Sequence, residues 1–231
     1  AANIGCGFAA VIVAAEGHFE AAVYLLLLSI TLDMSDGFVA RKLRATSKFG
    51  QEMDSFSDAL SFGAAPAFLL YFAFLRPFGG WGLACSLVFL LAAILRLARF
   101  NLTTNEHVKD DRTVGVPTPI AASYVMAAVL LRDDLGPGAA AALALALAAG
   151  MLSRVRLPNL KGRTVVTVML LVGIANYMLV VFAPSWTTIA WWNVWNVLIL
   201  AVAKAPERRG AEDEPPCEPP AMSCRVPVAM L

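Results

Sequence analysis

The chain has 231 residues, 59% of them hydrophobic and only 15% charged, with a mean hydropathy of +0.69. A water-soluble domain of this size is not that apolar, so an all-α, polytopic transmembrane helical bundle is expected. The formal net charge is +1, no nucleic-acid partner is expected, and Cys6, Cys85, Cys217 and Cys224 show neither a CxxC nor a Cys/His spacing, which excludes a sequence-evident zinc site or disulfide framework.

A membrane-crossing helix takes roughly 20 mostly apolar residues. In chain order the hydropathy predicts eight spans, near residues 1–15, 20–42, 51–75, 79–100, 116–131, 137–152, 164–183 and 186–204. The chain opens on Ala1 rather than Met, and no charged segment with a cleavage site precedes the first span, so no signal peptide is predicted. Pro66, Pro117 and Pro119 fall inside or at the start of spans, which membrane helices tolerate because neighbouring groups satisfy the freed carbonyls. The sixth span is mostly Ala and Leu and suits close helix packing. Residues 1–204 are thus predicted to form one transmembrane domain, and 205–231, rich in Pro and acids, a disordered tail.

Cationic loops stay cytoplasmic. Arg41, Lys42, Arg44 and Lys48 follow the second span, Arg96, Arg99, Lys109 and Arg112 the fourth, Arg154, Arg156, Lys161 and Arg163 the sixth, and Lys204, Arg208 and Arg209 the eighth. The opposite side holds Arg76 and Arg132 among Glu16, His18, Glu20, Asp133 and Asp134. Both termini are therefore expected on the cytoplasmic side, in a plasma (inner) membrane. Trp186, Trp191, Trp192 and Trp195 read as an interfacial belt.

Asp33, Asp36, Asp54 and Asp58 interrupt this pattern, lying in or beside the second and third spans. An acid at mid-helix depth costs roughly 2.5–3.5 kcal/mol on insertion scales, whereas a Leu returns about 0.5 kcal/mol. Asp33 and Asp36 are three residues apart and Asp54 and Asp58 four, so each pair shares a helix face. If the two spans form an antiparallel hairpin turning near Ala45, Asp36 and Asp54 each lie nine residues from the turn, and Asp33 and Asp58 twelve and thirteen. At a rise of about 1.5 Å per residue both pairs reach the same depth. Four converging carboxylates repel one another without a cation, and clustered oxygens suit a hard divalent ion, Mg²⁺, Mn²⁺ or Ca²⁺. Such ions could clamp a pyrophosphate and neutralise charge on a leaving phosphate. Gly37, Ala40 and Gly50 leave room for a nucleotide near the backbone, and Arg41 suits a phosphate. The alternative is that the acids merely pair with Arg41, Lys42, Arg44 and Lys48 at the membrane surface.

The run TLDMSDGFVARKLRATSKFGQEMDSFSDAL, from Thr31 to Leu60, matches D-x2-D-G-x2-A-R-x8-G-x3-D-x3-D at all eight fixed positions: Asp33, Asp36, Gly37, Ala40, Arg41, Gly50, Asp54 and Asp58. In this it resembles the CDP-alcohol phosphatidyltransferase family. The resemblance implies a helical membrane fold, commonly dimeric, with the cytidine nucleotide at the hairpin. It also implies Asp33, Asp36 and Asp54 as metal ligands, Asp58 as ligand and general base, and Gly37, Arg41 and Ser47 in contact with the nucleotide or its phosphates. The runs DSFSDALSFGAAPA from Asp54, RLARFN from Arg96, GVPTP from Gly115 and SRVRLPNLKG from Ser153, with the opening NIGCGFAA, are similar to the phosphatidylserine synthase branch of that family. That implies CDP-diacylglycerol and L-serine as substrates. Arg96, Arg99 and Asn101 could receive the serine carboxylate, and Arg154, Arg156 and Lys161 a carboxylate or phosphate. Either group could instead serve only the positive-inside rule and lipid headgroups. Glycerol 3-phosphate or inositol 1-phosphate is the alternative acceptor. A membrane prenyltransferase would carry DDxxD-type runs, which are absent, and a cation transporter would spread its acids through the bilayer depth, whereas these cluster.

Overall fold

A computed structural model describes residues 2–43, 48–105, 112–154 and 156–158, with Ala175, Leu179, Ser185 and residues 187–192 and 194–195. The first rod is α1 (Ala2–Ala15), and it ends where Gly17 takes φ +89°. The His18 N–H then reaches back to the carbonyl of Val13 at 3.1 Å, closing the helix end with a left-handed glycine. The second is α2 (Phe19–Leu43), which carries Asp33 and Asp36.

The third rod is continuous from Lys48 to Phe78 but changes pitch along its length. It runs as α3 (Lys48–Asp58), a π turn (Ala59–Ala64), α4 (Ala65–Leu70), a second π turn (Tyr71–Leu75) and a 3₁₀ turn (Arg76–Phe78). In the first π turn the Ala65 N–H donates to Leu60, five residues back. Pro66 follows at once; it has no N–H to give, and its ring crowds the preceding turn, which a wider turn relieves. After Gly79, α5 (Gly80–Asn105) returns, followed by α6 (Thr118–Leu130), begun by Pro117 and Pro119, and α7 (Pro137–Leu152), begun by Pro137. Proline in the first helical turn forfeits only an N–H that would be unpaired there anyway.

The six rods match the first six predicted spans. Two of them, 52–78 and 80–102, are long and apolar enough to cross a bilayer, as expected of a membrane protein; α1, α6 and α7 are apolar but shorter. The predicted spans at 164–183 and 186–204 fall mostly outside the described residues, and the tail at 205–231 entirely so. One element was not expected. Strands β1 (Arg112–Val114) and β2 (Arg156–Pro158) pair antiparallel, Thr113 opposite Leu157, tying together the loops that follow α5 and α7. Gly115, at φ +78°, turns the chain from this ribbon into α6; a side chain there would begin 2.3 Å from the Met151 carbonyl oxygen.

The interior combines large side chains, such as Phe62, Phe89, Leu69 and Leu75, with stripes of alanine where helices approach closely. Ala140, Ala144, Ala148 and Met151 are buried and recur at three- and four-residue spacing on α7, which packs on α5. Ala10, Ala14 and Ala22 are likewise buried in the α1–α2 pair. Outward stand Phe8, Ile12, Trp81, Leu83, Leu91 and Leu95, all exposed. In water such a surface would drive association, whereas hydrocarbon accepts it and rewards close backbone approach through small residues instead.

Candidate active site

Helices α2 and α3 bring the predicted acids together beside α1. Asp33 and Asp58 lie within side-chain hydrogen-bonding reach of each other. Asp36 and Asp54 interact electrostatically with Asp33, and Asp54 also with Asp58. Asp33 and Asp58 are half-buried, Asp36 and Asp54 exposed, so the cluster grades from the bundle interior to its surface. Among the described residues no three acids, histidines or cysteines are yet grouped closely enough to enclose a metal ion. The donor set nevertheless suits one: two carboxylates in mutual reach cannot both stay charged unshielded, and all the oxygens are hard.

Asp58 closes α3, directly before the first π turn, and its Oδ1 is buried without a hydrogen-bond partner. Arg96, from α5, interacts electrostatically with Asp58. Arg96 is only 7% exposed; its Nη1 donates to the Thr118 hydroxyl on α6 at 3.3 Å, while its Nε is buried and unpartnered. A buried acceptor and a buried donor thus stand near each other with capacity to spare.

The other predicted acceptor residues are placed differently. Arg99 donates to the carbonyls of Leu152 and Ser153, both at 3.5 Å, at the C-terminal end of α7, where a cation complements the helix dipole. Asn101 donates to Ser55 Oγ at 2.9 Å, pinning α5 to α3 one residue from Asp54. Arg154 is exposed, Arg156 lies in β2 opposite Val114, and Lys161 lies outside the described residues. Gly37, Ala40 and Arg41 lie on the last turns of α2, Gly50 is exposed on α3, and Ser47 lies outside the described residues.

Spacing alone did not single out the polar side chains behind the acids. Asn3, 2% exposed, donates through Nδ2 to Asp33 Oδ1 at 3.2 Å. Ser29 donates to Asn3 Oδ1, and Ser61 to the Asn3 carbonyl at 3.1 Å. A polar side chain within an apolar span is the signal that could have marked them.

Fold and site together define a class: an apolar helical bundle of the membrane type, in which two acids from a helix pair reach each other and one of them interacts with a buried arginine. The CDP-alcohol phosphatidyltransferase family profile matches residues 1–155, and the chain belongs to that family. It is 41% identical over 132 residues to a CDP-diacylglycerol–serine O-phosphatidyltransferase of Helicobacter pylori, covering 57% of this chain and 55% of that protein. It is 33% identical over 159 residues to the Bacillus subtilis protein of the same name, covering 69% of this chain and 86% of the relative. It is also 33% identical over 162 residues to an archaetidylserine synthase of Methanothermobacter thermautotrophicus, covering 69% and 67%. The chain spans about half the length of the Helicobacter protein.

Proposed function

We propose that the chain transfers the phosphatidyl group of CDP-diacylglycerol to the hydroxyl of L-serine, giving phosphatidylserine and CMP. The observation that carries the reading is that Asp33 and Asp58 reach each other from α2 and α3, with Asp36 and Asp54 in electrostatic range of Asp33 and a buried Arg96 with an unpartnered N–H interacting with Asp58. The relatives' names, which share serine, support the choice of acceptor.

Asp33, Asp36, Asp54 and Asp58 would hold Mg²⁺ or Mn²⁺, with Ca²⁺ a further candidate. When bound, such an ion supplies neutralisation of the pyrophosphate and of the charge left on CMP. Gly37, Ala40 and Gly50 would leave space for the nucleotide, and Arg41 and Ser47 would bind its phosphates. Asp58 accepts the serine hydroxyl proton as the serine oxygen bonds to the lipid-side phosphorus and the bond from that phosphorus to the CMP oxygen breaks. Arg96 takes the serine carboxylate, since its unpartnered N–H is a charge-assisted donor in a water-poor setting. Arg99 and Asn101, engaged with α7 and Ser55, serve the frame around that pocket. Positioning and electrostatics carry the reaction, with no covalent carrier.

The finer architecture is part of the same proposal: eight spans in residues 1–204, both termini and the acids on the cytoplasmic side of a plasma membrane, a tail at 205–231, and a homodimer.

The test is CMP release from CDP-diacylglycerol by purified protein, with serine, glycerol 3-phosphate or inositol 1-phosphate, each with and without Mn²⁺. Release dependent on both serine and metal is expected. Release with a phosphorylated acceptor in place of serine would move the assignment to another branch of the family.

A further inference from the structure

We infer that Asn3 is a positioning residue for Asp33: its side-chain amide, locked by Ser29, fixes the carboxylate so that one oxygen is held and the other is presented to the cation. This rests on the reading of the aspartates as cation ligands.

Asn3, Ser29 and Ser61 are all buried, at 2%, 0% and 0% exposure, and come from α1, α2 and the first π turn. Ser29 and Asp33 are four residues apart on α2 and share a face, so one side chain from α1 can touch both. It does so with opposite ends of its amide. Oδ1 accepts from the Ser29 hydroxyl, and Nδ2 donates to Asp33 Oδ1 at 3.2 Å.

The alternative amide orientation is excluded by chemistry. Reversed, it would set the amide oxygen against a carboxylate oxygen, two acceptors with no proton between them. The Ser61 hydroxyl occupies the Asn3 carbonyl at 3.1 Å, whereas Ser29 lies 3.4 Å from that carbonyl and closer to Oδ1, so the single Ser29 proton goes to the side chain. α1 reaches this depth because Gly7, one turn further along, meets Ser61 without a side chain; a Cβ there would fall 2.4 Å from Ser61 Oγ. Removing a group that orients a ligand from behind typically costs about 10- to 100-fold in metal affinity.

The experiment is titration of the full-length protein in lipid nanodiscs with Mn²⁺ alone, free ion being read by electron paramagnetic resonance. Asn3→Ala is expected to weaken Mn²⁺ binding by about tenfold, within the range for orienting partners of metal ligands. Ser29→Ala, which frees the amide to turn, should weaken it in the same direction and by less. Ser61→Ala removes a buried hydrogen bond from the same asparagine without touching its amide, and should leave Mn²⁺ affinity within about twofold of the parent. Equal losses in all three variants would mean that the cluster only holds the helices together, and unchanged affinity in Asn3→Ala and Ser29→Ala would overturn the inference directly. Should Asn3→Ala fail to fold, Ser29→Ala against Ser61→Ala decides. A parent protein that binds no Mn²⁺ would reject the cation site itself, and this inference with it.

Discussion

Asp33 and Asp58 reach each other from two helices, one receiving a hydrogen bond from Asn3 and the other left with a buried, unpartnered Oδ1. Under the proposed function, this asymmetry would divide the labour between two chemically identical groups. A tethered carboxylate is suited to staying in place around a cation, and one with a spare acceptor site is suited to taking a proton. Asp58→Asn keeps the shape and loses the basicity, so turnover should fall by at least about 100-fold, the lower range for removing a general base. Binding of CDP-diacylglycerol, measured by calorimetry with Mn²⁺ present, should survive. Near-normal turnover in this variant would transfer the base role elsewhere. Arg96, 7% exposed and hydrogen-bonded to Thr118, keeps a buried Nε–H without a partner among the described residues, a charge-assisted donor suited to an arriving carboxylate.

Among the elements, the acid pairs were readable from spacing and turn arithmetic, since Asp33, Asp36, Asp54 and Asp58 need only helical periodicity and a hairpin to meet. The π turns were not readable: ALSFGA and YFAFL are as apolar as an α-helical span, and only the stacking of a proline-containing helix on its neighbours shows where the pitch widens. The β1–β2 ribbon was equally hidden, because each strand is three residues long and its partner lies across α6 and α7. The roles first sketched for Arg99 and Asn101 illustrate a further limit. Charge and position pointed to a ligand, and neither could show that Arg99 also reaches the end of α7 and that Asn101 also bonds Ser55. At this scale Gly7 is the most exposed to test. Gly7→Ala places a methyl 2.9 Å from the Ser61 Cα, which is backbone and cannot swing aside. Overpacking of this sort costs roughly 1–3 kcal/mol, and thermal unfolding in detergent should show a lower midpoint than the parent.

For the molecule as a whole, the cation distribution makes a prediction that any fold-preserving probe can check. Single cysteines at Asp134 and Ala45, in a variant without native thiols, should react with a membrane-impermeant maleimide from opposite faces of sealed vesicles: Asp134 from outside right-side-out vesicles, Ala45 only after they are opened. Labelling of both from one face would undo the proposed orientation. Arg132, stacked over the Phe19 ring at 5.3 Å, marks the outer end in this arrangement, far along α2 from the acids. The alanine stripe on α7 carries a last consequence. Where Ala140, Ala144 and Ala148 lie buried and α7 packs on α5, a bulkier side chain at any of the three would have to push the two helices apart. Because α5 also carries Arg96 and Asn101, which reach Asp58 and Ser55, such a displacement would carry to the acids without altering a side chain among them.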